Sequence, residues 1–304
     1  MTRPRRIPAV LIAAGLCLAS ILPLHGQASR GSRERSLYVT VVDANGAPVP
    51  DLGASDFLVK EDNLTREVLR VIPATDPMQV AVLVDTSQAA RNVVQYMRQA
   101  LPPFASDLTK KNSAGKENEV AIIGVGERPT ILSEYSIDPK LVQKGIDRIW
   151  ALDNSGMYLL DGIIEVCQGL KKREAARPVI VTVTTAGVEF SNRHHQDVVE
   201  ALKKVGAQMN VMALGQPDTS LQTEARERAL AFDVGTRETG GTHEQVLSAI
   251  GLPTRMKTLA AQLTHQYKVT YNRPESLIPP EKITISAVKA GLTARGTPVK
   301  EGQP

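Results

Sequence analysis

Two oxygen-bearing side chains, Asp85 and Ser87, follow an unbroken apolar run and are the residues of this sequence best suited to bind a cation. Residues two apart in an extended segment project to the same side, so the carboxylate and the hydroxyl would offer two hard oxygens to one ion. Mg²⁺ takes about six oxygen ligands. A complete site therefore needs side chains from other parts of the chain.

The residues before Asp85 predict how this pair is positioned. Residues 80–84 are all apolar, which indicates a strand buried on both faces at the centre of a parallel sheet. Further apolar strands alternate with segments of helical periodicity, at residues 120–125, 178–184 and 209–214. The pattern predicts an α/β fold with a doubly wound, mostly parallel sheet. Asp85 and Ser87 would lie at its carboxyl edge, where such sheets bind ligands.

One predicted helix carries an interruption. Residues 89–101 place apolar side chains at helical spacing, and Pro102-Pro103 follows them directly. Proline lacks the N–H that a helix interior requires, so we expect this helix to end or kink there.

Short segments of strand character flank the α/β unit on both sides. They lie at residues 37–42, 57–61, 67–72, 267–271 and 283–288. Neither flanking group is large enough to bury a core alone. We therefore expect both to join in one small β domain of residues 36–75 and 266–298, after a polar linker at residues 29–35. The α/β domain of residues 76–265 would be an insertion in it.

Residues 1–28 have the pattern of a secretory signal peptide. Three arginines precede an uncharged apolar stretch at residues 8–24, and small residues precede a cut before Ser29. The alternative is an uncleaved anchor, but the stretch is shorter than the roughly 20 residues that span a bilayer. Cys17 resembles a lipidation site only loosely. We expect an exported protein, periplasmic or secreted, with no transmembrane helix after cleavage.

The charge balance of the remaining chain argues against nucleic-acid binding, and its cysteine content argues against an internal disulfide. Without the leader, 33 basic and 32 acidic residues remain, a net charge of about +1. No arginine-rich stripe or set of stacking aromatics accompanies them, so we expect no nucleic-acid binding. Only Cys167 remains, so no internal disulfide is expected. It shares a helical face with Leu160, Ile163 and Leu170 and is predicted to be a buried apolar filler.

Several short motifs follow one another in order along the chain. In the first β segments they are Val41-Val42-Asp43, Gly46, Pro48-Val49, Leu52, Asp56-Phe57 and Glu61-Asp62. Later they are Val82-Leu83-Val84-Asp85-Thr86-Ser87, Gly156, Tyr158, Leu159, Asp161, Ile163, Glu238-Thr239-Gly240-Gly241 and Gln266-Tyr267. Their order and spacing resemble the von Willebrand factor A (VWFA) domain in its exported bacterial form. The resemblance covers roughly residues 36 to 296.

Members of that family often carry a metal-ion-dependent adhesion site (MIDAS). Its pattern is D-x-S-x-S after the first strand, a threonine before a helix and an aspartate after the fourth strand. The metal's last position goes to a partner's carboxylate. In this chain Asp85 and Ser87 match the pattern, but Ala89, Met157 and Ala186 stand at the other three ligand positions. The resemblance therefore implies a degenerate MIDAS.

Two protein oxygens are too few for a cation that demands near-ideal octahedral coordination. We therefore predict no functional affinity for Mg²⁺ or Mn²⁺, and no other cofactor. Thr184, Thr185 and Glu189 lie close enough in sequence to supply replacement oxygens. A metal-dependent adhesin thus remains the first alternative.

The resemblance and the lost ligands favour a non-enzymatic protein-interaction module. The face formed by Asp85, Ser87, Met157 and Ala186 would bind a protein partner, in the cell envelope or outside the cell, through shape and apolar contact. Alternatively, Met157 and Ala186 only pack the loops together. An enzyme or enzyme-associated subunit is disfavoured, because the sequence has no G-x-S-x-G elbow, zinc-protease helix or phosphate-binding glycine loop.

Overall fold

Strands and helices alternate through the middle of the chain. The computed structural model describes residues 32–274, residue 278 and residues 280–299. In these ranges the strands are β1 (Ser32–Val42), β2 (Phe57–Glu61), β3 (Leu64–Arg66), β4 (Val68–Pro73), β5 (Met78–Asp85), β6 (Glu119–Val125), β7 (Pro129–Ser136), β8 (Arg177–Thr185), β9 (Gln208–Leu214), β10 (His243–Val246), β11 (Tyr267–Pro274), β12 (Ile283–Ala287) and β13 (Thr293–Pro298). The α-helices are α1 (Val94–Thr109), α2 (Pro139–Ile146), α3 (Leu159–Lys172), α4 (His195–Val205), α5 (Thr223–Thr239) and α6 (Leu252–Thr264). The predicted leader, with Cys17, lies outside the described residues.

A six-stranded sheet forms the centre of the α/β unit, in the order β10-β9-β8-β5-β6-β7. Strand β5 pairs in parallel with both β6 and β8, and β7 is an antiparallel edge strand beside β6. The predicted fold class is confirmed. The chain leaves β5 toward β6 on one side and later adds β8 on the other. The end of β5 therefore lies at the switch point where open sheets of this kind form a crevice.

Helices cover both faces of this sheet, which explains the apolar run in β5. Val80, Val82 and Val84 pack in one core with residues of α1, α2 and α6. Ala81 and Leu83 point the other way and pack in a second core with residues of α3, α4 and α5. Strand residues alternate between faces, so burial on both sides requires an apolar residue at every position.

Helix α1 differs from its prediction. It spans Val94–Thr109 and continues through Pro102-Pro103 instead of ending there. The two prolines remove backbone hydrogen bonds, but the turn that follows them buries Phe104 and Leu108 in the core. This burial holds the last turns in helical form.

Among the described residues, no helix is long and apolar enough to cross a bilayer.

Two antiparallel sheets accompany the α/β unit, in the orders β13-β1-β11-β4 and β12-β2-β3. Each combines strands from before and after the unit, and both contribute to a third apolar core. Strand β1 begins at Ser32, inside the segment predicted to be a linker. The difference arises because β11 extends to Pro274 and offers backbone partners to these residues.

A buried polar network joins the four-stranded sheet to the α/β sheet. Arg177, at the start of β8, donates from Nη2 to Oε1 of Gln266 at 2.5 Å and stacks 5.0 Å from the ring of Tyr38. Burial lowers the pKa of Arg177 to about 10. Gln266 in turn donates to Thr40 Oγ1 at 2.7 Å and to Gln208 Oε1 at 2.9 Å. One glutamine thus satisfies groups from three strands.

Replacing Gln266 with leucine should lower the free energy of unfolding by about 1–3 kcal/mol, because buried groups of Arg177 and Gln208 lose their partner. Urea unfolding of the full chain measures this change. The exposed Gln222, whose side chain makes no capping bond, provides the control: Gln222→Leu should stay within about 0.5 kcal/mol of wild type. Equal shifts in the two variants would contradict the proposed role of the network.

Candidate functional site

Asp85 ends β5, and both oxygens of its buried carboxylate accept hydrogen bonds from this chain. The side chain is 2% exposed. Oδ1 accepts a hydrogen bond from the backbone N–H of Ser87 at 2.8 Å. Oδ2 accepts one from the backbone N–H of Thr185 at 3.0 Å and another from its hydroxyl. The carboxylate is therefore stabilised by three donors from this chain.

The loops that the sequence predicted to converge do so around Gly187. A β-carbon at this glycine would lie 2.9 Å from Met157 Cε, 3.0 Å from Ala89 Cβ and 3.0 Å from Ser87 Oγ. Two of the three groups that face this point are methyl carbons. The only oxygen among them is the buried Ser87 hydroxyl, which has no hydrogen-bond partner among the described residues. The surroundings favour packing over cation coordination.

Met157, which was predicted to belong to a partner-binding face, is buried among the loops. It is 1% exposed, and its backbone bonds to Val188 O and Phe190 N at 2.8 Å each. Its sulfur accepts hydrogen bonds from Thr184 Oγ1 at 3.5 Å and Arg228 Nη1 at 3.3 Å. Methionine fills the space between the loops because its flexible, polarisable side chain adapts to irregular gaps. The alternative, loop packing, fits this geometry.

The three residues considered as replacement ligands all turn inward. The Thr185 hydroxyl donates to Asp85, and that of Thr184 donates to Met157. Glu189 Oε1 accepts from the backbone N–H groups of Leu159 at 3.1 Å and of Ser191 at 3.0 Å. The two threonine hydroxyls and Glu189 Oε1 thus hold the loops together.

Glu189 carries a second, unsatisfied oxygen in a buried position. Glu189 is 3% exposed, and its Oε2 has no hydrogen-bond partner among the described residues. Burial raises the pKa of Glu189 above its usual value, although hydrogen bonds from Ser191 and the charge of Arg228 oppose the rise. The carboxyl is therefore easier to protonate than an exposed glutamate.

Arg228 is the residue that the sequence interpretation missed. The residue is 2% exposed, and its guanidinium donates to Gly187 O at 2.7 Å, to Met157 sulfur and to Asp218 Oδ2 at 2.5 Å. These groups belong to the loops after β8, before α3 and after β9. Hydrogen bonds from one charged side chain of α5 therefore connect three loops. The available signal was its spacing: position 228 shares the buried face of α5 with Ala225 and Phe232.

Apolar side chains are exposed on the loops at this edge. Of the four predicted site residues, Asp85, Ser87 and Met157 are buried and Ala186 alone is exposed. Near Ala186, Val188 and Phe190 are each 51% exposed. Other exposed apolar residues on loops at the carboxyl ends of strands are Leu152, Leu221, Leu247 and Ile250. Exposed apolar groups gathered at one edge favour contact with another molecule.

Cys167 and His195, two further groups that could support catalysis, have structural roles. Cys167 is 2% exposed, and burial raises the pKa of its thiol to about 12, as expected of an apolar filler. His195 Nδ1 lies 2.7 Å from Glu227 Oε2, which holds the start of α4 against α5. Within residues 32–274, 278 and 280–299, no three His, Cys, Asp or Glu side chains cluster as metal ligands would.

Searches of protein-family models and of curated proteins find no match for this chain. Solved structures do match. Proximal thread matrix protein 1 from the mussel byssus is 15% identical with a TM-score of 0.51, over 67% of this chain and 51% of that one. A von Willebrand factor type A structure from Catenulispora acidiphila is 12% identical with a TM-score of 0.48, over 90% and 74%. The VWF domain of the type V pili tip protein Mfa5 from Porphyromonas gingivalis is 10% identical with a TM-score of 0.47, over 62% and 96%.

At these identities the likeness concerns the fold alone. This chain spans about half the length of the mussel protein, 51% of it. The strand order, the helices on both faces and the antiparallel edge strand agree with the resemblance that the sequence motifs indicated. The chain has a VWFA-like fold accompanied by two small antiparallel sheets.

Proposed function

We propose that this chain is an exported, non-enzymatic protein-interaction module whose VWFA-like domain binds its partner without a cation. The observation that carries the proposal is the bonding of Asp85, whose carboxylate already accepts three hydrogen bonds from Ser87 and Thr185. A cation would compete with these three donors for the carboxylate and would find methyl groups of Ala89 and Met157 near it. Because Mg²⁺ dehydrates reluctantly, a site with so few oxygens to replace its water ligands would bind it weakly.

The exposed loops at the carboxyl edge support contact with a protein. Ala186, Val188 and Phe190 are exposed there, whereas Met157 lies beneath them. The Met157 backbone bonds to Val188 and Phe190, so the buried residue holds the exposed ones in place. We therefore assign recognition to the loop after β8 and support to Met157. Export rests on the leader pattern of residues 1–28.

Titration of the purified protein with Mg²⁺ or Mn²⁺ in a calorimeter should give no saturable heat. The triple variant Ala89→Ser, Met157→Thr and Ala186→Asp, which restores the family's ligand types, serves as the comparison and should gain saturable binding. Saturable heat in the wild type that Asp85→Ala abolishes would favour the metal-dependent adhesin instead.

Met157→Ala should lower the free energy of unfolding by about 2–5 kcal/mol, because it opens a cavity at a fully packed position.

The double variant Val188→Ser and Phe190→Ser should cost about 1 kcal/mol or less per site, because both side chains are half exposed. The double variant should lose a partner that wild type captures from an envelope fraction in the presence of chelator. Leu69→Ser, at an exposed apolar position on β4, should keep it. Chelator-sensitive capture, or capture by the double variant, would oppose the proposal.

Glu189→Gln should change how stability depends on pH. A carboxyl with a raised pKa binds more protons in the folded state, so wild-type stability is fully present below the ordinary glutamate pKa and falls as pH rises through the folded value. The thermal unfolding midpoint of the variant should therefore rise relative to that of wild type as the pH is increased from 4 to 8. The exposed Glu165→Gln is the matched control and should show no such trend. A variant that loses stability relative to wild type as pH rises would indicate an ionised Glu189 paired with Arg228.

A further inference from the structure

A groove runs between the first turns of α1 and the segment that connects α2 to α3. It has a volume of about 820 Å³ and is lined by Arg91, Asn92, Gln95, Arg98, Trp150 and Ala151. Trp150 is 65% exposed. The site contains two guanidinium groups, two side-chain amides and one large aromatic surface, and no carboxylate is among its lining residues.

Arg98 is held in place by bonds that leave its charge uncompensated. Its Nη2 donates to Ile149 O at 2.6 Å and to Asp147 O at 2.9 Å, and its guanidinium lies 4.1 Å from the centre of the Trp150 ring. Both acceptors are neutral carbonyls, and no ion pair joins Arg98 to an acidic side chain of the described residues. Nη1 donates to no group in this part of the chain, so it is available to a ligand.

Arg91, on the same groove, has only a weak internal partner. It pairs with Asp153, but the two side chains are 56% and 74% exposed. Exposed ion pairs of this kind contribute about 0–1 kcal/mol, so a ligand carboxylate can replace the aspartate at little cost. Arginine binds carboxylates through parallel hydrogen bonds, which makes two arginines beside an aromatic ring suited to an acidic group next to an apolar one.

We propose that this groove binds an acidic segment of a protein partner, with a carboxylate on Arg98 and Arg91 and an apolar side chain against Trp150. Two cationic groups, one bonded to neutral carbonyls and one to an exposed aspartate, match one or two carboxylates better than a polyanion, whose binding requires many basic contacts. The proposal depends on the interaction role proposed above and adds a second contact surface to it. It can fail while capture of a partner through the loop after β8 succeeds, because its test uses synthetic peptides.

Trp150 is the single tryptophan of the chain, so its fluorescence reports on the groove directly. The full chain would be titrated at pH 7 with the peptide acetyl-Leu-Glu-Leu-Glu-Leu-amide and with the matched peptide in which glutamine replaces both glutamates. We expect a saturable change with the acidic peptide, weakened by added NaCl, and a much smaller one with the neutral peptide. Arg98→Gln should weaken binding roughly tenfold or more, because a charge-assisted hydrogen bond is lost.

Two further variants separate binding from folding. Arg91→Gln alters an exposed side chain and should weaken binding while leaving the thermal unfolding midpoint unchanged. Arg148→Gln removes an exposed arginine outside the groove that also donates to a carbonyl, and it should bind like wild type. Equal binding of the two peptides, no saturable change with either, or equal weakening by Arg148→Gln would overturn the proposal. So would inorganic phosphate that reproduces the change at the same concentration.

Discussion

A carboxylate removed from water must be neutralised, bound to a metal or fully hydrogen-bonded, and the burial of Asp85 imposes this choice on the whole carboxyl edge of the sheet. The chain meets the constraint with hydrogen bonds. Thr185, at the end of the neighbouring strand β8, supplies its N–H and hydroxyl, and the Ser87 backbone supplies a third donor. The parallel pairing of β5 with β8 brings the two strand ends together, so the main sheet itself positions the donors.

Once Asp85 is satisfied in this way, the loops around it need another means of cohesion. In a metal site one cation would draw them together through oxygen ligands. Here Met157 fills the space between them, and Arg228 donates to Gly187, Met157 and Asp218. A guanidinium suits this task because its planar fork of donors reaches several acceptors at once. The positive charge among these loops is thus supplied by an arginine of the fold.

The same arrangement separates the residues that hold the loops from those that are exposed to solvent. Residues that hold the loops are buried, whereas Ala186, Val188 and Phe190 are exposed above them. The groove at Trp150 is lined partly by the connection between α2 and α3, which also carries Met157, and Leu152 of this connection donates from its backbone to Thr86 O at 2.9 Å. Both proposed contact surfaces therefore rest on the end of β5. Packing at the end of one strand can set the geometry of each.

The sequence alone determined the class of fold, because period and burial are linked. An apolar residue at every position of β5 requires a sheet covered on both faces, and the flanking segments of strand character predicted additional β structure, which the chain forms as two antiparallel sheets. It also shows that Ala89, Met157 and Ala186 offer no side-chain oxygen, since the type of a side chain fixes whether it can provide one.

Only the tertiary structure decided where those side chains point. Met157 is soft and apolar, which suits a surface contact and a core position equally, and its burial depends on loops more than 25 residues away in sequence that close over it. Thr185 and Glu189 were candidates for a metal site because oxygens near a strand end can turn either way, and their partners Asp85, Leu159 and Ser191 settle the direction. The role of Arg228 follows from packing of α5 beneath the sheet edge, a long-range contact that helical spacing indicates but does not specify.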